Sequence, residues 1–166
     1  APAQIELAAA RQSMTGKWEG RLEYLDYGAN QWFGIPVKTL IEDQGDGATI
    51  IRKSDFDDGP KTGTVRITTV ELFDSAKASV TAATFRKGRA ATLDIYAVRL
   101  EGTARDDAHW TIVEEVDAMD DNRPARLRIT TVRDGDRVQA LKQVEFLDDD
   151  KSEWLSRNRT TLMRIK

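Results

Sequence analysis

From residue 16 to the C-terminus, apolar and polar side chains alternate with a period of two, and only short turn-forming segments interrupt them. Such alternation gives each strand one apolar and one polar face, and a chain that keeps it almost throughout must bury one face of a large sheet. Residues 17–27 place Trp18, Gly20, Leu22 and Tyr24 on one face, and residues 33–43 place Ile35, Val37, Thr39 and Ile41 on one face. Further strands are expected at 47–56, 64–73, 78–87, 90–102, 109–119, 125–133 and 137–147, with SRNRTTLMRIK closing the chain. The segments GANQW, DQGDG, DFDDGPKTG, DDNRP, DGD and DDDKSEW carry turn chemistry between them. Ahead of the strands, residues 3–13 are expected to form a short helix. Ile5, Leu7 and Ala8 lie near one face, Pro2 suits a first turn, and Thr15-Gly16 ends it.

Strands at roughly 12-residue spacing imply a sandwich or a barrel. Strands of about ten residues span ~33 Å, and long strands joined by short turns favour an up-and-down meander. Closure is the simplest way for a meander to remove its two edges. The expected fold is therefore all-β: an antiparallel up-and-down barrel of about 8–10 strands with a short N-terminal helix. At 166 residues the chain reads as a single domain over 1–166.

The chain carries 25 basic and 28 acidic residues, intermixed to a net charge of −3, which supplies no basic stripe for nucleic acid. Apolar runs fall far short of the ~18 residues of a membrane-spanning helix, so no transmembrane segment is expected. The opening APAQIELAAARQ has small residues of the kind found around signal-peptidase sites, from which a secreted or periplasmic location is expected, with a signal peptide removed.

A short helix followed by Gly16-x-Trp18 at the mouth of the first strand resembles the first signature of the lipocalins and their calycin relatives. The T-D-Y signature of that family is missing from its usual place, so the resemblance is to a diverged, lipocalin-like barrel rather than a true lipocalin. It implies that Trp18 plugs one end of the barrel and that an arginine of the last strand lies across its indole, a contact of ~0.5–2 kcal/mol. Arg157 and Arg159 are the candidates, with Arg164 as a third if the closing strand runs level with Trp18 there; the assignment among them is open. Gly16 would supply the turn out of the helix, and Gly20 would leave room beside the ring or let the strand bend over it.

His109 is the only histidine and there is no cysteine, which rules out a structural zinc site and a bis-histidine haem within this chain; no metal or cofactor is expected. The clusters Asp55-Asp57-Asp58, Asp117-Asp120-Asp121 and Asp148-Asp149-Asp150 lack the EF-hand spacing and read as charged hairpin loops. There is no G-x-S-x-G and no phosphate loop, and no catalytic residue is assigned. What remains is the interior. Trp110, Ile112, Glu114 and Val116 share a face, as do Val138, Ala140, Lys142, Val144 and Phe146, so Glu114 and Lys142 interrupt apolar faces. Either they pair with each other or hold the polar head of a ligand, or a β-bulge shifts the phase and both reach solvent. Tyr24 and Tyr96 are further hydroxyl donors. The expected cavity set is Trp18, Tyr24, Trp110, Glu114 and Lys142.

The function expected from this pattern is binding of a small hydrophobic or amphipathic molecule inside the barrel. The alternatives are an enzyme using carboxylate and tyrosine groups in the same cavity, or a filled barrel acting as an interaction module with Trp32-Phe33 as an exposed loop contact.

Overall fold

The computed structural model describes residues 5–166. A helix α1 (Leu7–Gln12) precedes ten strands: β1 (Gly16–Asp26), β2 (Gln31–Asp43), β3 (Thr49–Asp57), β4 (Thr64–Asp74), β5 (Ser79–Arg86), β6 (Thr92–Leu100), β7 (His109–Asp120), β8 (Arg123–Asp134), β9 (Arg137–Phe146) and β10 (Leu155–Ile165). Each strand pairs antiparallel with its chain neighbour, and β10 returns to pair with β1, so the sheet closes into a barrel. The up-and-down barrel expected from the alternation is the observed fold. The expected helix is shorter than 3–13: Glu6 is already extended, and Pro2 lies outside the described residues. Between β3 and β4, DFDDGPKTG contains one unanticipated helical turn, α2 (Gly59–Thr62), with Pro60 near its start. Trp32, expected in the loop before the second strand, belongs to β2.

Registers show which face points inward. Trp18 pairs with Arg164 and Thr39, Gly20 with Leu162 and Val37, and Leu22 with Thr160 and Ile35, so the apolar set assigned to the first strand lies beside that of the second. One end of the interior is packed solid by Trp18, Ile41, Ile50, Val80, Val98, Trp110, Val138 and Leu162, with Ala10 and Met14 of the N-terminal segment set into the same core. α1 is too short to persist alone; its place in this core holds it.

Trp18 is fully buried. Its indole Nε1 donates to the Met14 carbonyl at 2.9 Å, and the guanidinium of Arg164 lies 4.4 Å from the ring centroid. Arg133 of β8 approaches the same ring at 5.4 Å, a second arginine that nothing in the end strands announced. Both guanidinium groups also satisfy carbonyls of the turn leaving α1. Arg164 donates to Ser13 and Thr15, and Arg133 donates to Ser13, each at 2.9 Å.

Arg157 and Arg159 therefore do not cap Trp18. In an antiparallel closure the end of β10 meets the start of β1, which brings Arg164 to Trp18 and carries the two earlier arginines toward the opposite end. Arg157 pairs with Asp120 at 3.1 Å, and Arg159 pairs with Glu23 at 3.1 Å and stacks 4.0 Å over Trp32.

The two glycines flanking Trp18 have distinct causes. Gly16 has φ +136°, and a Cβ there would sit 2.5 Å from the Arg164 guanidinium. At Gly20 a Cβ would collide with the Thr161 carbonyl and its neighbouring backbone, so the glycine makes room for β10 rather than for the indole.

Candidate functional site

The barrel is hollow above its packed end. A cavity of about 320 Å³ is walled by apolar side chains including Val37, Ile50, Phe56, Ile67, Ile112 and Ile129. Set into that wall is a group of charged residues from four elements. Arg11 reaches in from α1, Arg52 from β3, Glu71 from β4 and Glu114 from β7.

Glu71 is the hub. Its side chain is 9% exposed; one carboxylate oxygen accepts from Arg11 Nη2 at 3.2 Å and the other from Arg52 Nε at 3.1 Å. Burial alone pushes its carboxyl up, but the adjacent Arg52 and Arg11 pull it below the ordinary range, so Glu71 is ionised. Glu71 in turn raises the Arg52 pKa above the usual guanidinium value. Sequence position permits the arrangement because β3 and β4 are paired, with Ile50 opposite Glu71 and Arg52 opposite Thr69, so both charged groups share the inward face.

Glu114 stands in the same wall without a hydrogen bond or ion pair among the described residues. Burial raises its carboxyl pKa; the like charge of Glu71 adds to this, while Arg11 and Arg52 oppose it. Tyr96 of β6 lines the cavity too, and burial with the nearby Asp94, Glu114 and Glu71 charges lifts its phenol to about 12, so the hydroxyl stays a donor. Four of the other wall hydroxyls are engaged in pairs, Thr39 with Ser54 at 2.9 Å and Thr69 with Thr84 at 3.3 Å, and Thr131 and Thr160 also line the cavity.

Of the expected cavity set, Trp110 and Glu114 line the cavity. β7 keeps unbroken register with β8, so no bulge diverts Glu114 outward. Trp18 is consumed by the packed end. Tyr24 is 41% exposed at the far end of β1, its ring 5.9 Å from Phe33, and it does not line the cavity. Lys142 shares the register row of Glu114, but Ile129 stands between them on β8, and the cations that act on Glu114 are Arg11 and Arg52. Of the alternatives for these two residues, pairing with each other is not the arrangement seen, and the ion pairs in the cavity wall join Glu71 to Arg11 and Arg52. Arg52 and Glu71 were legible by the test applied to Glu114, since Ile50-Arg52-Ser54-Phe56 and Ile67-Thr69-Glu71 alternate onto the inward face. Arg11 gave no such signal, because it sits on a helix whose docking site no local pattern specifies.

His109 lies outside the cavity, hydrogen-bonded to Asp106 at 2.8 Å. Asp55 and Asp117, expected in hairpin loops, lie in β3 and β7 and pair with Arg66 and Arg126 of the neighbouring strands, while Asp148 and Asp149 in the loop after β9 pair with Arg123.

No family model matches the chain, and no curated protein matches it. Among solved structures, the barrel is similar to the crystal structure of Rv2717c from M. tuberculosis, with TM-score 0.64 and 11% identity, over 98% of this chain and 99% of that one. At that identity the likeness is one of fold alone.

Proposed function

We propose that the protein binds one small amphipathic molecule inside the barrel, with its polar head at the Arg11–Arg52–Glu71–Glu114 group and its apolar body against Val37, Phe56, Ile67 and Ile129. The observation that carries this reading is the cavity itself: 320 Å³ of interior space bounded by apolar side chains with charged groups in one part of the wall. That volume lies at the small end of ligand pockets, about 300–1,000 Å³, and equals the share of roughly ten water molecules. A ligand of about a dozen non-hydrogen atoms suits it. A merely structural interior would have filled this space, because voids in close-packed cores are few and small.

The test is occupancy. Native mass spectrometry and displacement of an apolar fluorophore, run with straight-chain alcohols and sulfonates of graded length, should detect one bound molecule per chain. Ala140 lines the cavity, so Ala140→Phe should abolish that binding while leaving the melting transition close to the parent's. Absence of binding across the series, or unchanged binding in Ala140→Phe, would overturn the reading.

A further inference from the structure

The charges in the cavity wall do not balance unless Glu114 is counted. Arg11, which is buried, and Arg52, which is half-buried, bring two positive charges and Glu71 one negative, leaving one guanidinium charge uncompensated in a cavity with largely apolar walls. An isolated buried charge is costly and calls for a counter-ion. The carboxylate available for that role is Glu114, which faces the same space and has no hydrogen-bonding partner among the described residues. Arg52 engages Glu71 through Nε, and its two terminal nitrogens make no hydrogen bond among the described residues, so donors are free for an incoming acceptor. Tyr96 adds a hydroxyl with no hydrogen bond among the described residues.

We propose that Glu114 is an internal counter-ion that a monoanionic ligand head replaces, so that binding an anionic amphipath is coupled to uptake of one proton by Glu114. This rests on the binding reading above and specifies its ligand as an anionic amphipath. In the empty cavity an ionised Glu114 brings the group to neutrality. When a singly charged sulfonate, carboxylate or phosphate ester enters, it supplies that negative charge; Glu114 takes a proton from solvent, and the group is again neutral. If Glu114 kept its charge, the ligand head would be a third negative charge against two guanidinium groups, and the group would carry a net charge without a counter-ion, which is costly away from water.

The groups facing Glu114 are Arg11 from α1, Arg52 from β3, Glu71 from β4 and Tyr96 from β6. Asp94 lies on β6 near Tyr96, and Lys142 shares the Glu114 register row beyond Ile129. The arginines and Glu71 are locked in an ion-pair group, which leaves Glu114 as the member free to change its charge with the ligand.

The experiment uses octanesulfonate, which stays ionised at every working pH, beside neutral 1-octanol. Calorimetric titrations of the intact protein run from about pH 5 to about pH 9, each in two buffers of different ionisation enthalpy. For octanesulfonate, affinity should fall by up to about tenfold per pH unit above the Glu114 pKa, and proton uptake should approach one per molecule bound. For octanol both quantities should stay flat. Glu114→Gln, always neutral, should bind octanesulfonate more tightly than the parent at the alkaline end and lose the pH dependence. If that variant fails to fold, the buffer comparison on the parent still decides. Octanol binding without octanesulfonate binding, or octanesulfonate binding with no proton uptake at any pH, would overturn the counter-ion role and leave the binding reading intact. If neither probe binds, both are overturned.

Discussion

A glycine that looks permissive in the sequence can be a steric requirement in the fold, and Gly20 is such a residue. The backbone of β10 crosses where its Cβ would be, next to the Leu162 partner in the closing pair. Gly20→Ala must therefore push β1 and β10 apart beside Trp18. The expected loss is about 2–3 kcal/mol, the upper range for overpacking in a core, because the obstacle is backbone and cannot rotate away. Urea denaturation gives the value; a loss below about 0.5 kcal/mol would mean the closing pair has slack. Arg164 teaches a related point. The neighbourhood of an arginine within its own strand says little, since its partner is set by which residue of the opposite strand arrives level with it.

At the scale of elements, α1 is a six-residue helix that contributes one side chain to the centre of the molecule. Arg11 is 6% exposed and ends on Glu71, sixty positions along the chain. A helix this short draws its order from tertiary contacts, so the ion pair and the Ala10 and Met14 packing are what fasten it. Arg11→Ala should cost about 3 kcal/mol, at the low end for breaking a buried pair, since Arg52 still holds Glu71. Hydrogen exchange should show the α1 amides losing protection while β1 and the other strands keep theirs. Equal loss across the barrel would show that α1 and the strands form one cooperative unit. Turns at this scale were legible: Gly-rich and Asp-rich segments fell between strands, and strand ends lie within about two residues of expectation.

Two carboxylates of the cavity wall, Glu71 buried and Glu114 half-buried, give the whole molecule opposed pH responses. The Glu71 carboxyl is held below its ordinary value in the fold, so its contribution is complete above the unfolded value of about 4.5 and is lost as pH falls through the folded pKa. Glu114 is raised, so its contribution is complete below about 4.5 and is lost as pH rises through its folded pKa. Stability measured by urea melts should therefore weaken on both sides of an intermediate maximum. Glu71→Gln should flatten the acid limb and Glu114→Gln the alkaline limb, whatever each does to the maximum itself. Unchanged slopes in both variants would mean that other groups govern the profile.

The sequence by itself determined the strand faces, the turn positions and the closure of the meander, because a period-two pattern is local and a meander of long strands has few ways to hide its edges. It also marked Glu114 as a charge on an inward face, and the same pattern held Arg52 and Glu71. Only the tertiary structure decided which charges meet. Barrel registers bring β3 and β4 side by side and place Ile129 between Glu114 and Lys142, while α1 drops Arg11 onto a residue far along the chain. Partner choice among buried ions depends on distances across the closed barrel, and those are a property of its closure, not of any segment read alone.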